Sequence, residues 1–209
     1  MKIWTLTPLR AVALLALAAC ETATTQDAPT APREALDLSC TAFAEMSEAA
    51  LRAAYGEDNV AEETLYGPEG ETYTATVLFA NDASRRLEIV WQDQATKQRP
   101  VNISVAGENS FWTGPSGLSI GDDLARIEQL NGRPFKLWGF SWDYGGWVSD
   151  WNGGAFAAPS GGCSTGVRFE ATSGGGDADG DGEFQSDSEA VRAAAPRVVA
   201  FALVSPTPE

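Results

Sequence analysis

The chain contains no histidine. Histidine is the commonest general base, and it completes Ser-His and Cys-His nucleophile pairs and most zinc sites, so its absence excludes these chemistries together. Carboxylates remain, and Asp143 and Asp150 flank an aromatic stretch as the two acids of a glycosidase would. Nothing in the sequence fixes their separation, and paired acids arise by chance in a chain with 29 Asp and Glu residues. We therefore expect no enzyme activity, no catalytic residue and no cofactor beyond the weak calcium binding considered below.

Basic residues are also scarce. Lys and Arg together number 14 against 29 Asp and Glu, which gives a formal net charge of −15 at pH 7. Nucleic acids and bare anionic lipid surfaces attract proteins through Lys and Arg. We therefore expect no nucleic-acid partner.

The N-terminal apolar run, Ala11–Ala19, has nine residues, about half of the roughly 20 that span a bilayer. Lys2 and Arg10 bracket the segment before it, which is typical of a signal peptide over residues 1–19. The run ends in Leu-Ala-Ala-Cys, which resembles the lipobox of bacterial lipoproteins. The resemblance implies cleavage before Cys20 and a diacylglycerol on its sulfur. The alternative, an ordinary cleavage site that a cysteine happens to follow, stays open.

The same resemblance implies a location. Glu21 follows Cys20, whereas an Asp at this position retains the resembled lipoproteins at the inner membrane. We therefore expect a protein of the bacterial cell envelope, held by its lipid at the outer membrane. Each buried CH₂ of such an anchor contributes about 0.8 kcal/mol. Residues 20–36 have no aromatic residue and no apolar period, which predicts a flexible tether.

Cysteine is rare, with three in the chain. Lipidation of Cys20 leaves Cys40 and Cys163, which we expect to pair in an oxidising periplasm. Two free thiols are the alternative. A bridge would tie the start of the folded part to its last third, which favours one globular domain over residues 37–209.

The clearest helix lies within Gly121–Gly132, where Leu124, Ile127 and Leu130 recur every three residues. Asn131-Gly132 predicts its end. The run resembles the helix motif of small outer-membrane assembly lipoproteins and of β-lactamase-inhibitory proteins; the matching positions are Gly121, Ile127, Leu130, Gly132 and Pro134.

A second copy of this helix pattern occupies Glu45–Gly56, and strand-like sequence ending in tryptophan follows each copy. We therefore expect an α+β fold in which tandem helix plus antiparallel β-hairpin units pack as one domain, with possible repeats at about 40–105 and 110–205. Chance similarity of the two units is the alternative. The predicted strands are Tyr73–Ala80, Arg86–Gln92, Pro100–Val105, Ser110–Trp112, Phe135–Trp142, Trp147–Trp151 and Arg197–Val204.

The richest stretch is Leu137–Gly154, which also resembles a Gly-Phe-x-Trp-Asp-Tyr-Gly-Gly run of uncharacterised bacterial envelope proteins. Side chains alternate between the faces of a strand, so a hairpin here would present a broad aromatic surface. We expect at least one of its four tryptophans to be exposed. The predicted binding surface consists of Trp138, Trp142, Tyr144, Trp147 and Trp151, with Asp143 and Asp150 at its ends.

Two functions fit such a surface. Aromatic rings dominate protein interfaces, so the first is an envelope lipoprotein that binds a protein partner. Rings flanked by carboxylates also stack on sugars, so the second is a glycan- or peptidoglycan-binding lipoprotein. A third interpretation is that most of the rings simply fill the core.

One acidic loop resembles the start of an EF-hand. Asp177, Asp179 and Asp181 supply oxygens at its first, third and fifth positions, and a turn glycine follows. Ser188 stands where the bidentate glutamate should be, and Glu189 lies one residue late. The loop predicts weak calcium binding at best, and a plain acidic loop is the alternative.

Overall fold

The computed structural model of the protein describes residues 35–43 and 46–206. The predicted signal peptide of residues 1–19, the predicted lipidation site Cys20 and nearly all of the predicted tether lie outside the described residues. In the part that is described, no helix combines the length and the hydrophobicity needed to cross a membrane.

Across these residues the chain forms four α-helices and eleven β-strands, and the predicted α+β fold class is confirmed. In chain order the elements are β1 (Leu36–Asp37), α1 (Cys40–Phe43), α2 (Glu48–Tyr55), β2 (Val60–Tyr66), β3 (Thr72–Leu78), β4 (Leu87–Asp93), β5 (Gln98–Ala106), β6 (Trp112–Thr113), α3 (Leu124–Asn131), β7 (Lys136–Trp138), β8 (Val148–Asp150), β9 (Ser164–Glu170), β10 (Glu183–Gln185), α4 (Glu189–Ala193) and β11 (Arg197–Val204).

The largest sheet has six antiparallel strands in the order β2-β3-β4-β5-β11-β9. Buried residues alternate with less buried ones along β4 and β9, so one face of the sheet packs into the core. One row of this face crosses five strands in register and is fully buried: Leu78, Leu87, Val105, Phe201 and Val167. Each such side chain stabilises the fold by about 1.5–3 kcal/mol.

Helix α3 begins and ends where its sequence predicts within a few residues. Asp123 is its N-cap, and the Oδ1 of Asp123 accepts the backbone N–H of Arg126 at 2.9 Å. Gly132 ends the helix with φ 80°, a left-handed conformation that costs glycine little. Leu124 and Ile127 are buried, so the apolar stripe packs into the core.

A smaller sheet of three antiparallel strands has the order β10-β7-β8. Helices α2 and α3 are both followed by antiparallel strands, as the repeat pattern predicts. The strands after α2, however, join the six-stranded sheet, whereas β7 and β8 belong to the three-stranded one. Strand β2, which pairs along its whole length with β3, was not predicted.

Cys40 and Cys163 lie at disulfide-bonding distance, as predicted, with their Cα atoms 5.7 Å apart. Both are buried. The pair joins α1 to the turn before β9 across a sequence separation of 123 residues. It therefore holds the start of the fold, which follows the predicted tether, against the edge of the large sheet.

Candidate binding surface

Strands β7 and β8 are joined by a loop of residues 139–147, which we call the aromatic loop. The predicted strand Phe135–Trp142 is wrong in its second half, because the chain leaves the sheet after Trp138. Instead, the backbone N–H groups of Gly139 and Phe140 donate to the carbonyl oxygens of Gly182 and Ala178, each at 2.8 Å. The aromatic residues therefore lie mainly on a loop and not on the faces of a hairpin.

Three rings at this loop contact one another in a chain. The Trp138 and Trp142 rings are perpendicular with centroids 6.1 Å apart, and the Trp142 and Tyr144 centroids are 5.4 Å apart. The indole N–H of Trp142 donates to the Gly139 carbonyl at 2.9 Å. Tyr144 is 41% exposed, and both tryptophans are half-buried. The three rings form a partly exposed aromatic patch whose central member is fixed by a hydrogen bond.

Close backbone packing holds the aromatic loop in place. A Cβ atom on Gly139 would lie 2.7 Å from the Ala178 carbonyl oxygen and would overlap the Gly180 carbonyl as well. A Cβ on Gly146 would overlap the carbonyl of Phe169. Only glycine allows such approaches, so these residues let the loop pack directly against two neighbouring backbone segments.

The aromatic loop contacts the six-stranded sheet at both of its edges, at β9 and at the tip of the β2–β3 hairpin. On the β9 side, the backbone N–H of Phe169 donates to the Gly146 carbonyl at 2.9 Å, and the Arg168 Nε donates to the Gly145 carbonyl at 3.0 Å. On the β2 side, the carboxylate of Asp143 accepts the backbone N–H of Glu69 at 3.0 Å. Glu69 lies at the tip of the β2–β3 hairpin.

The other two tryptophans support the fold. Trp151 packs between Phe135 and Phe156, with ring centroids 5.1 and 4.9 Å away, and its indole N–H donates to the Thr165 carbonyl at 3.1 Å. Trp147 lies over Gly166, where an added Cβ would be 3.3 Å from the indole ring. The core interpretation therefore holds for Trp151, and Trp147 packs on β9.

The prediction that at least one tryptophan of this stretch is exposed is wrong. All four are half-buried, and Tyr144 is the exposed ring. The reason is that the loop folds back on itself and on β9, so each indole has a neighbour that covers one side. A tyrosine at the turn is the residue left outermost.

The outer face of the three-stranded sheet is polar. Lys136 pairs with Glu183 at 3.0 Å, and the hydroxyl of Ser149 donates to the same carboxylate at 2.7 Å. These hydrogen bonds, first from Ser149 and then from Lys136, hold the pKa of Glu183 below its usual value. The exposed carboxylate of Asp150 accepts the N–H of Asn152 at 2.7 Å. Asp150 thus lies on this polar face, opposite Lys136 in the strand register, and not on the aromatic loop.

The acidic loop packs against the aromatic loop. Asp179 accepts the hydroxyl of Ser141 at 2.7 Å, and the N–H of Gly180 donates to the Phe140 carbonyl at 2.9 Å. Among residues 35–43 and 46–206, no three acidic or metal-ligating side chains are placed to hold a metal ion. Asp177, Asp179 and Asp181 are therefore not brought together, and Ser188 caps α4 instead. Calcium binding stays a prediction without geometric support.

The contact that the hairpin tip at Pro68–Gly70 makes with the aromatic loop has no signal in the sequence. A Pro-Glu-Gly turn is a clear turn signal, but nothing local indicates that it meets a loop more than 70 residues away. Tyr66, just before this turn, is 83% exposed.

No protein-family model, curated protein or solved structure matches the chain.

Proposed function

We propose that this protein is a non-catalytic lipoprotein of the bacterial envelope, attached to the outer membrane through an acylated Cys20, that binds a protein partner with its aromatic loop. The observation that carries the proposal is the ring chain that runs from Trp138, at the end of β7, to Trp142 and Tyr144 on a loop fixed from both sides. The membrane attachment rests on the lipobox resemblance alone.

A fixed aromatic loop favours binding for a physical reason. Association costs free energy when flexible side chains and loops must be ordered, and a preorganised surface avoids much of that cost. Tyrosine and tryptophan are also the commonest anchors of protein interfaces. Tyr144 is exposed while its neighbour Trp142 is held by a hydrogen bond, so the loop offers one accessible ring on a rigid base.

The predicted tether limits where a partner can be. Fourteen residues lie between Cys20 and residue 35, and a fully extended chain of that length spans about 50 Å at most. The folded part therefore stays within that distance of the membrane surface. This favours a partner that is itself in the membrane or close to it.

Site-specific photo-crosslinking in intact cells tests the proposal. A benzophenone amino acid at Tyr144 should give one discrete crosslinked protein, whereas the same residue at the exposed Asp181 should not. A Trp142→Ala change in the same chain should reduce the Tyr144 product by about tenfold, since it removes the ring that supports Tyr144. Equal crosslinking from both positions, or none from Tyr144, would contradict a partner at this loop.

A glycan ligand is the second candidate, because the exposed residues Asp143 and Tyr144 are neighbours in the sequence of the same loop. Titration with cell-wall oligosaccharides, followed by tryptophan fluorescence, separates the two functions. A saturable change that Tyr144→Ala abolishes would favour the sugar. A flat response, together with a Tyr144 crosslink to protein, would favour the protein partner.

A further inference from the structure

Strand β2 is the first edge of the six-stranded sheet and pairs on one side only, with β3. In an antiparallel pair, residues that exchange hydrogen bonds with the partner alternate with residues that do not. Two hydrogen bonds just outside the ends of β2 show which residues face β3. The Phe79 N–H donates to the Asn59 carbonyl, and the Gly67 N–H donates to the Glu71 backbone carbonyl, each at 2.7 Å. The odd-numbered residues of β2 therefore bond to β3.

The even-numbered residues of β2 consequently direct their N–H and C=O groups away from the sheet: Val60, Glu62, Thr64 and Tyr66. The Val60 N–H donates to the Glu57 carbonyl of the turn before β2. Within the described ranges, no hydrogen bond to the backbone groups of Glu62, Thr64 or Tyr66 is formed. A row of unpaired groups of this kind is a template for another strand. The opposite edge strand, β9, is instead covered in part, because Gly146 and Trp147 pair with Phe169 and Arg168.

The charge around β2 specifies the kind of strand that fits. Residues 53–84 contain seven Asp and Glu residues and no Lys or Arg. Asp58 precedes β2, and Glu69 and Glu71 follow it; all three are exposed. None of the three joins an ion pair within residues 35–43 and 46–206. Both ends of the free edge are therefore negative.

Charges on an edge strand act in two directions. They oppose pairing with a second copy, because two acidic β2 strands would be brought side by side. The same charges favour a strand of opposite sign. The exposed ring of Tyr66, on the same side of β2 as Glu62, adds a surface on which a Lys or Arg side chain can stack.

We propose that β2 is a strand-addition site for an extended, basic segment of a partner protein. The main-chain groups of Glu62, Thr64 and Tyr66 supply the hydrogen bonds, and the flanking acids supply selectivity for a basic sequence. The site consists of different residues from the aromatic loop, which touches it at Glu69 through Asp143, and its test does not require that the loop bind anything.

The test uses the whole mature chain with Cys20→Ser, which removes only the lipid. The probe is a capped heptapeptide of alternating lysine and valine, and its glutamate counterpart is the control peptide. Amide hydrogen exchange is followed by NMR. The basic peptide should slow exchange at Glu62, Thr64 and Tyr66 by about tenfold or more, while the acidic peptide should leave these amides unchanged.

Two variants separate strand addition from general charge attraction. Thr64→Pro removes an outward N–H at an edge position, where proline is tolerated, and should abolish binding while the circular dichroism spectrum is retained. Glu71→Gln should weaken binding about fivefold, whereas Asp181→Asn should leave it unchanged.

Three results would overturn the proposal: exchange at β2 that the basic peptide does not slow, equal binding of both peptides, or β2 amides already protected by a dimer of the free chain. Loss of the Tyr144 crosslink with intact peptide binding would instead refute the aromatic-loop function alone.

Discussion

The carboxylate of Asp143 accepts the backbone N–H of Glu69 at 3.0 Å, across 74 residues of sequence. This hydrogen bond joins the aromatic loop to the tip of the β2–β3 hairpin. The same loop receives the N–H of Phe169 from β9 on its other side. The aromatic loop therefore bonds to the β2–β3 hairpin tip on one side and to β9 on the other, which holds the rings of Trp142 and Tyr144 relative to both.

Removal of this link should loosen the hairpin tip. In Asp143→Ala the Glu69 amide loses its acceptor, so we expect its hydrogen exchange to become about tenfold faster. Because the bond is exposed, the free energy of unfolding should fall by only about 0.5–1 kcal/mol. Asp181→Ala, which removes an equally exposed carboxylate, is the control. Unchanged exchange at Glu69 would show that the bond does not order the tip.

The aromatic loop should not tolerate a side chain at Gly139. In Gly139→Ala the new Cβ meets the Ala178 carbonyl at 2.7 Å and the Phe184 ring at 2.9 Å. We expect a loss of about 2–4 kcal/mol in unfolding free energy, measured by denaturant titration. Gly67→Ala is the matched control, because its Cβ would have no neighbour closer than 3.7 Å. Similar losses in both variants would argue against the packing that fixes the loop.

Acid should destabilise the protein through Glu48. Burial raises the pKa of this carboxyl, but hydrogen bonds from Lys97, Thr76 and Arg52 outweigh it and lower the pKa from 4.5 to about 2. The Lys97 Nζ is 2.8 Å and the Thr76 Oγ1 2.7 Å from the carboxylate. A folded-state pKa below the unfolded value means that the stabilisation is complete above pH 4.5 and is lost as the pH falls towards 2.

Unfolding free energy measured across this pH range should therefore fall by about 2 kcal/mol from this group. Glu48→Gln should be less stable than the native chain at neutral pH, and its stability should depend less on pH in the acid range. Glu108→Gln, on an exposed turn, is the control and should follow the native profile. Parallel profiles for the native chain and Glu48→Gln would refute this assignment.

The pairing of Cys40 with Cys163 closes a long loop, with a sequence separation of 123 residues, and its contribution to stability should rise with the logarithm of the loop length. We expect the double variant Cys40→Ser, Cys163→Ser to lose about 2–5 kcal/mol. Treatment of the native chain with a reductant should produce the same loss and should leave the double variant unaffected. A reductant that changes nothing would mean that the thiols are not joined.

The elements that the sequence predicts well depend on local pattern. Helix α3 has an apolar period of three, an aspartate cap and a glycine stop, and it is found between Leu124 and Asn131. The predicted strands Tyr73–Ala80 and Arg86–Gln92 correspond to β3 and β4, which pair as expected. Strand β11 occupies the predicted range Arg197–Val204, because a continuous apolar run is typical of a central strand.

The features that the sequence did not predict depend on contacts far apart in the chain. The aromatic hairpin becomes a loop because Gly139 and Phe140 bond to the 178–182 segment, which no local period reveals. For the same reason the acidic loop packs against the aromatic loop. The carboxylate of Asp179 accepts a hydrogen bond from the Ser141 hydroxyl and does not form a metal-binding group with its neighbouring aspartates. Strand β2 was missed because its two adjacent glutamates interrupt the alternation.

We propose that a lipid on Cys20 holds this acidic, histidine-free domain at a membrane, where it binds a partner. Mass spectrometry of the protein purified from its own cells tests the claim most directly. We predict that Cys20 is the first residue of the mature chain and carries a thioether-linked diacylglycerol. An unmodified thiol at Cys20, or a chain that still begins at Met1, would contradict it.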